Sequence, residues 1–171
     1  DILDMSRIES GKIILAKEPF SCKDMIDDIN AMIASQTKLK HIHYQFINSV
    51  QNDHFFRGDE TRIKQILLNL LNNAIKFTAD GGTVRLQYEV LTVMNGKGRI
   101  RFTVSDSGIG ISKEFLKRIF EPFTQEHDGT ITEYQGSGLG LAIARNLARL
   151  MDGDIAVESQ IGQGTIFETT L

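Results

Sequence analysis

The sequence is poor in cysteine, proline and tryptophan, and each shortage excludes a class of protein. Among 171 residues there are one cysteine, two prolines and no tryptophan. A single thiol, Cys22, forms no internal disulfide and builds no metal site without several partners, so a reducing, cytoplasmic setting is expected. No apolar run reaches the roughly 20 residues that cross a bilayer, and the N-terminus lacks the basic-then-apolar pattern of a signal peptide. A membrane anchor is therefore expected only in a longer parent protein.

An excess of charge of one sign is also missing. The 19 basic and 22 acidic residues are interspersed and leave a net charge of -3. Such a chain offers no basic field to a nucleic-acid backbone, so nucleic-acid binding is not expected. Hydrophobic residues make up 41% of the sequence, which is enough to close a single core. We therefore expect one domain with an appendage.

The appendage is predicted at the N-terminus. Residues 1–12 place Ile2, Leu3, Met5 and Ile8 at helical spacings, and a glycine at position 11 offers a stop. This pattern is typical of the last turns of a longer helix, so residues 1–15 are assigned to the appendage and residues 16–171 to the main domain. Pro19 breaks the chain, and Ser21 is placed to cap a second helix. The apolar stripe of that helix is predicted to be Met25, Ile26, Ile29, Met32 and Ile33.

The remaining pattern mixes strands and helices. Alternating apolar residues predict a strand through Ile42, Tyr44 and Phe46, and a hairpin whose arms cover residues 84–90 and 100–104 around an Asn95-Gly96 turn. Helices are predicted over residues 60–77, 113–120 and 139–151, with further strands near Ile155 and Ile166. This order indicates an α+β fold, a two-layer sandwich in which helices pack on one face of a mixed, mainly antiparallel sheet.

The helix over residues 60–77 carries an unusual polar face. Gln65, Asn69, Asn73 and Lys76 align along it, away from the apolar stripe. Asparagine is a poor helix former, so Asn69, Asn72 and Asn73 together cost about 1–2 kcal/mol. One interpretation is a solvated face. The other is that Asn73 offers an amide oxygen to Mg²⁺ while Lys76 meets phosphate charge.

Two further segments suggest ligand binding. Period-2 alternation places Asp106 on the face of the predicted strand that carries Ile100, Phe102 and Val104, at the margin of the core. Asp106 either forms a local turn with the nearby backbone or accepts a hydrogen bond from the amino group of adenine, with Gly108 and Gly110 admitting the flat base. The second segment, residues 136–140, is rich in glycine and runs into a helix, where free backbone N–H groups suit a polyphosphate. It is neither a Walker loop nor a Rossmann fingerprint, and alone it is a weak signal.

Taken in order, five segments resemble the catalytic and ATP-binding domain of sensor histidine kinases, which belong to a superfamily with gyrase, Hsp90 and MutL ATPases. The segments are Asn69-Leu-Leu-Asn-Asn73-Ala-Ile-Lys76-Phe77-Thr78, Asp106-Ser-Gly108-Ile-Gly110, Ile119-Phe120-Glu-Pro-Phe123, Gly136-Ser-Gly138-Leu-Gly140-Leu and Gly162-Gln-Gly164-Thr165. Residues 1–12 also resemble the close of the family's second dimerisation helix. Five motifs in the right order are far more specific than any one of them.

The resemblance implies a Bergerat ATP-binding fold that binds ATP and Mg²⁺. It implies that Asn73 holds Mg²⁺, that Asn69 and Lys76 attend the phosphates as catalytic residues, that Phe77 flanks adenine and that Asp106 binds its amino group. Further residues implied to contact the nucleotide are Gly108, Gly110, Ile111, Gly136, Ser137, Gly138, Leu139, Gly140, Leu141 and Thr165. Residues 125–135 would form the ATP lid. Thr124-Gln125 stands where many members carry Tyr-Arg, so the implied site lacks that cation.

Several functions remain open within this superfamily. Its ATP hydrolases place a glutamate base four residues before the magnesium asparagine, where this chain has Asn69. An amide takes no proton at neutral pH, which favours phosphoryl transfer to another nucleophile over hydrolysis. A nucleotide-binding module without catalysis and a serine kinase of the anti-sigma type are the alternatives. The resemblance to the dimerisation helix favours a histidine kinase.

The expected acceptor is a histidine outside this sequence. The four histidines, His41, His43, His54 and His127, lack the acceptor context of a histidine followed by an acidic residue and, later, a proline. The acceptor is therefore expected upstream of Asp1, in the protein's own dimerisation domain. The resemblance implies a homodimeric parent protein and a response regulator receiver domain as the next partner in a two-component system.

Overall fold

Helices and strands alternate irregularly along the chain. The computed structural model describes residues 2–49, 55–94, 97–126 and 136–171. In chain order the elements are α1 (Ile2–Glu9), β1 (Glu18–Ser21), α2 (Cys22–Leu39), β2 (His43–Asn48), β3 (Phe55–Gly58), α3 (Glu60–Phe77), β4 (Thr83–Met94), β5 (Lys97–Asp106), α4 (Lys113–Leu116), α5 (Gly140–Leu150), β6 (Asp154–Gln160) and β7 (Gly164–Thr170). The Asn95-Gly96 turn lies outside the described residues.

Five strands form the main sheet, in the order β2-β4-β5-β7-β6. β2 pairs with β4 in parallel, and the other neighbours are antiparallel. Parallel neighbours need a long crossover connection. Here the chain leaves β2, passes through β3 and α3, and then enters β4. β1 and β3 pair separately as a small antiparallel sheet. The expected mixed, mainly antiparallel sheet is confirmed.

One face of the main sheet is covered by helices. Every second residue of its central strands is buried, as with Leu86, Tyr88, Phe102 and Val104, and α3 packs against both β4 and β5. α2 and α5 pack on either side of α3, and all three helices contribute to one core. The predicted two-layer arrangement is therefore correct.

Local sequence signals explain where the long helices begin and end. Ser21 caps α2, since its hydroxyl accepts the N–H of Asp24 at 3.1 Å as predicted, and Asp59 caps α3 by accepting the N–H of Arg62 at 3.0 Å. The buried residues of α3 recur every three or four positions and form its apolar stripe; they are Ile63, Ile66, Leu67, Leu70, Leu71, Ala74 and Ile75. The limits of α3 agree with the predicted range.

Three predictions of local structure need correction. Met32 was assigned to the buried stripe of α2 but is 53% exposed, because the 3.6-residue turn carries it to the margin of that stripe. The short helix ends at Leu116 rather than at Phe120, and turns follow it. Pro19 does not simply interrupt the chain but lies in β1, a strand with a single neighbour, where a missing N–H is tolerated.

The N-terminal helix is not separate from the rest. Met5 of α1 is buried in the common core, and α1 packs on α5. The carboxylate of Asp4 accepts a hydrogen bond from Gln65 Nε2 at 3.1 Å and lies 3.6 Å from Arg62. Ile2 and Leu3 on the same helix are more than two-thirds exposed. The division of the chain between residues 15 and 16 stays a prediction.

Candidate functional site

The polar face of α3 is divided between two neighbours. Gln65, at its N-terminal end, is taken up by the hydrogen bond to Asp4 of α1 and by a second one from Arg62 at 2.8 Å. Asn69, Asn73 and Lys76 follow along the helix, each half-buried, whereas Asn72 is exposed. The predicted face therefore exists, but only its last three members belong to one candidate site.

Asn69 connects α3 to the start of α5. Its side-chain amide donates a hydrogen bond to the carbonyl oxygen of Gly140 at 3.0 Å, and a Cβ on Gly140 would lie 3.7 Å from that amide. α5 begins at Gly140 without a side-chain cap, so its first N–H groups are available as hydrogen-bond donors at the positive end of the helix dipole. Asn69 and Gly140 are 71 residues apart in the sequence. The fold thus brings the glycine-rich segment next to the polar face of α3.

Lys76 supplies a cation on the same side. Its Nζ lies 3.1 Å from the position that a Cβ on Gly136 would take and 4.9 Å from the centre of the Phe77 ring. Burial lowers the pKa of Lys76, because the charged ammonium is partly withdrawn from water. An anion placed beside Lys76 would stabilise the charged ammonium in place of the missing water, so the location favours a negatively charged ligand.

Asp106 closes the buried face of β5. The strand register pairs it with buried Val84 on one side and buried Thr165 on the other. Burial raises the pKa of Asp106 to about 6, although hydrogen bonds from the N–H groups of Gly108 and Thr165 oppose that rise. The contact between Asp106 Oδ1 and Gly108 N is 2.8 Å, so the local turn considered from the sequence is present.

Phe77 and the loop after β5 are packed together. The N–H of Ile109 donates to the carbonyl oxygen of Phe77 at 3.3 Å, and the Phe77 side chain is 37% exposed. A Cβ on Gly108 would lie 2.6 Å from the same carbonyl oxygen. The end of α3 is therefore adjacent to Asp106, and the predicted adenine-binding residues share one location.

The glycines of this loop are needed for contacts within the protein, and their role of admitting a flat base stays a prediction. Gly110 has a φ of 73°, and a Cβ there would lie 2.1 Å from the carbonyl oxygen of Gln160. Gly164 has a φ of 95°, and its Cβ would lie 1.9 Å from the carbonyl oxygen of Asp106. The loop after β5 and the turn between β6 and β7 thus meet backbone to backbone.

The glycine-rich segment before α5 packs on the phenylalanine motif. Gly138, with a φ of 69°, accepts the N–H of Phe123 at 3.0 Å, and Phe123 itself has a φ of 61°. Leu139 is fully buried, so only its backbone can reach a ligand, and Leu141 is half-buried against the core. The exposed Ser137 hydroxyl accepts the N–H of Leu139 at 3.3 Å. The side-chain amide of Gln125 donates to the carbonyl oxygen of Gly136.

Sequence reasoning missed residues that hold the site without an obvious motif. The Ser159 hydroxyl accepts the N–H of Ile111 at 2.9 Å, donates to the carbonyl oxygen of Gly164 at 2.8 Å and lies 2.9 Å from the Thr165 hydroxyl. Lys40 was missed too, although it contacts the end of α3. An isolated serine or lysine carries no spacing signal, so neither was detectable without the tertiary contacts.

Some expectations lie outside the described residues or remain untested. Residues 127–135, most of the predicted lid, are outside the described part, as are His54 and His127. His41 contacts Asp80 at 2.9 Å on the surface, and His43 is exposed. Within the described ranges no cluster of three or more His, Cys, Asp or Glu side chains is placed to hold a metal ion. None of the helices in those ranges has the length and apolarity of a membrane span.

Known proteins resemble this chain over its whole length. Residues 58–171 match a family described as histidine kinase-, DNA gyrase B-, and HSP90-like ATPase. The autoinducer 2 sensor kinase/phosphatase LuxQ of Vibrio parahaemolyticus is 41% identical over 172 residues, which cover 100% of this chain and 20% of that protein. The chain spans a fifth or less of the length of the first curated relatives that it matches.

Solved structures give the same picture. Full-length ShkA in complex with AMPPNP superimposes with a TM-score of 0.82 at 32% identity, over 99% of this chain and 34% of that one. The catalytic domain of the histidine kinase ThkA superimposes with a TM-score of 0.75 at 28% identity, over 91% of this chain and 94% of that one. The similarity to ThkA therefore covers nearly a whole catalytic domain.

Proposed function

Because this chain belongs to the histidine kinase-, DNA gyrase B- and HSP90-like ATPase family, as a histidine kinase ATP-binding catalytic domain, we propose that it binds Mg-ATP and donates the γ-phosphoryl group to a histidine. The acceptor histidine belongs to the dimerisation domain of the longer protein. The observation that carries the proposal is that Asn69 and Lys76, which share one face of α3 with Asn73, meet the glycine-rich segment at the start of α5.

The phosphate end of the site combines two kinds of donor. Uncapped N–H groups at the start of α5 and the ammonium of Lys76 both favour anionic oxygens. Lys76 and Gly136 lie close enough for one polyphosphate to contact both. In phosphoryl transfer the protein mainly positions the reactants and stabilises charge, so these groups supply the chemistry that is required.

Asn73 is the residue proposed to hold Mg²⁺. Its half-buried amide forms no side-chain hydrogen bond to another described residue, and an amide oxygen is a hard ligand of the kind Mg²⁺ accepts beside phosphate oxygens. When bound, Mg²⁺ neutralises phosphate charge. Asn69 is proposed to hold the start of α5 against α3, since its amide N–H already donates to Gly140.

The base end of the site is proposed to select adenine. Asp106 is a hydrogen-bond acceptor at the margin of the core, and Phe77 offers a partly exposed ring at the adjacent end of α3. The amino group of adenine is a donor, whereas guanine presents a carbonyl oxygen at the equivalent position. Two facing acceptors would cost about 1–3 kcal/mol in a partly buried site.

Transfer to histidine is favoured over hydrolysis by Asn69. The superfamily's hydrolases use a carboxylate at this position to activate water, and an amide cannot accept that proton. ShkA was solved with AMPPNP, an ATP analogue, which supports an adenine nucleotide as the ligand of this fold. The proposal also includes a response regulator receiver domain as the next partner, and it takes the parent protein to be a homodimer.

Phosphoryl transfer is testable with separated domains. The chain is mixed with a separately prepared dimerisation domain of the same protein and with ATP labelled on its γ-phosphate. Label is expected on the histidine of that domain, slowly, because a severed donor loses the proximity that supplies much of the rate. A dimerisation domain with its histidine replaced by glutamine is the matched control. Labelling of the chain itself, or rapid release of free phosphate, would contradict the assignment.

A further inference from the structure

The C-terminal end of α3 depends on residues from outside the helix. The last four carbonyl groups of a helix have no partner within it, and here they belong to Ala74, Ile75, Lys76 and Phe77. Ala74 O accepts the N–H and the hydroxyl of Thr78, at 3.1 and 2.7 Å. Phe77 O accepts the N–H of Ile109. The two carbonyls between them are satisfied by a single side chain.

That side chain is Lys40, at the end of α2. Its Nζ donates to the carbonyl oxygens of Ile75 at 2.8 Å, Lys76 at 2.9 Å and Thr78 at 2.7 Å. Three N–H donors of one ammonium thus meet three carbonyls within one turn, and a positive charge at a helix C-terminus is favourable. The residue is half-buried, so these bonds are partly shielded from water.

The backbone of Lys40 is held as well. Its N–H donates to the carbonyl oxygen of Gln36 at 3.2 Å and caps α2, while its carbonyl oxygen accepts the N–H of Gly81 at 3.1 Å. The backbone that carries the ammonium is therefore hydrogen-bonded through both its N–H and its carbonyl group. A lysine held in this way restrains the end of α3 rather than following its motion.

The restrained turn contains two residues of the proposed nucleotide site. Lys76 and Phe77 lie between the first and last carbonyls that Lys40 contacts, and the next contact of Phe77 is with the loop that follows Asp106. Moving this turn would displace the cation that faces Gly136 and would break the bond from Ile109 to Phe77 O. A shift of about 1 Å in a positioning group is enough to lower activity a hundredfold.

We propose that Lys40 is a positioning residue of the nucleotide site, which fixes Lys76 and Phe77 through the backbone of α3. The inference rests on the proposed function, because it assigns Lys40 to the same site. Lys40 acts through the carbonyls of α3, so its removal should reduce what Lys76 contributes to binding. A residue needed only for folding would not show that dependence.

The test compares the affinity of the 171-residue chain for AMPPNP with Mg²⁺ among variants. Lys40→Met removes the three donors and keeps most of the side-chain volume, and Lys40→Arg keeps a cation with different geometry. Lys38→Met is the matched control for charge, since Lys38 is exposed on the same helix. Tyr44→Phe controls for stability, because it removes a 2.7 Å hydrogen bond to Asn30 of α2 without affecting the carbonyls of α3.

Calorimetry is expected to show about tenfold weaker binding for Lys40→Met, an intermediate loss for Lys40→Arg, and less than twofold change for the two controls. In a double-mutant cycle, Lys76→Met should cost much less affinity in the Lys40→Met background than in the wild-type chain. Additive losses, or unchanged affinity of a folded Lys40→Met variant, would overturn the proposal. If Lys40→Met does not fold, Lys40→Gln, which keeps one donor group, takes its place under the same criteria.

A ligand-free measurement separates this inference from the proposed function. The N–H of Ile109, which donates to Phe77 O, reports the position of the end of α3. Its hydrogen exchange should accelerate at least about tenfold in Lys40→Met and stay unchanged in Lys38→Met. Unchanged exchange overturns the positioning role even if AMPPNP binds. If the wild-type chain fails to bind AMPPNP, the proposed function fails, and the assignment of Lys40 to a nucleotide site fails with it.

Discussion

Replacing Asp106 with asparagine should stabilise the fold at neutral pH while it weakens nucleotide binding. The carboxylate lies in a row of buried side chains between Val84 and Thr165, and burial raises its pKa to about 6 from the ordinary value of 3.8. A charged group whose pKa is raised by burial costs free energy whenever it is ionised. The amide of asparagine has a similar shape and no charge, so the variant avoids this cost.

The magnitude follows from the shift in pKa. A rise in the pKa of Asp106 from 3.8 to about 6 corresponds to a cost on the order of 3 kcal/mol when the carboxylate is ionised. Asparagine recovers only part of this free energy. Its side chain has one acceptor oxygen, whereas the carboxylate has two for the N–H groups of Gly108 and Thr165. One poorly satisfied hydrogen bond costs about 1 kcal/mol. The expected net gain in the free energy of unfolding at pH 7 is about 1–2 kcal/mol.

The pH dependence has a definite sign. Since the folded-state pKa of Asp106 lies above the unfolded value, protonation favours the folded state. The contribution of Asp106 to wild-type stability is therefore fully present below about pH 4 and is lost as the pH rises through about 6. The difference between the variant and the wild type should widen across that interval and stay constant above it.

Urea unfolding followed by circular dichroism, at several pH values between about 4 and 8, measures this difference. Asp154→Asn is a control of opposite sign, because hydrogen bonds from Arg145 lower the pKa of Asp154 to about 2. Asp154 is half exposed, so its loss should destabilise the fold by less than about 1 kcal/mol near neutral pH. Calorimetry with AMPPNP then gives the affinity of Asp106→Asn, which we expect to fall about tenfold.

Two outcomes would refute the reasoning, each on a different point. If Asp106→Asn is no more stable than the wild type at about pH 7, burial does not penalise the carboxylate. If the variant is more stable but binds AMPPNP as tightly as the wild type, Asp106 does not recognise the base. A gain in stability with a loss of binding is the expected combination, as at sites where function is maintained at a cost in stability.

Three further predictions concern the same site. Asn73→Ala should remove the Mg²⁺-dependent part of the ATP affinity, which is expected to be at least about tenfold in calorimetry with and without Mg²⁺. Asn72→Ala should leave that part unchanged, and equal effects of the two substitutions would remove Asn73 from the site. Gly110→Ala should destabilise the fold by more than about 3 kcal/mol in urea unfolding, because a Cβ would lie 2.1 Å from a backbone oxygen, whereas Gly162→Ala, with open space around it, should cost only about 1 kcal/mol for its positive φ. GTP should compete at least about tenfold more weakly than ATP for a labelled ATP analogue, and equal competition would exclude Asp106 as the selecting group.

Local periodicity was sufficient to predict much of the fold. The stripe from Ile63 to Ala74 defined α3, and the alternation around Phe102 defined β5 and the buried side of Asp106. These patterns depend on which face of an element is buried, and that face is encoded within one helix or strand. The residues of α3 that form the candidate site were predicted for the same reason.

Contacts between distant segments were not predictable from one sequence. β1 and β3 pair across about 40 residues, and neither short strand has a pattern of its own. Gly110 was predicted to admit a flat base and Gly164 to belong to a glycine motif, but their backbone packing against Gln160 and Asp106 was not foreseen. Lys40 satisfies carbonyls 35 to 38 residues further along the chain. Such contacts exist only once the sheet has assembled, so no local signal precedes them.

The strand order described above leaves two edges that differ in their tendency to associate with another chain. The edge strand β6 carries Asp154 and Glu158 on its exposed side, whereas the edge strand β2 exposes Phe46 and Ile47 by more than a third. Charged edges resist pairing with a neighbouring molecule, and apolar edges promote it. At the high concentrations used in spectroscopy, self-association of this domain should therefore begin along β2 rather than along β6.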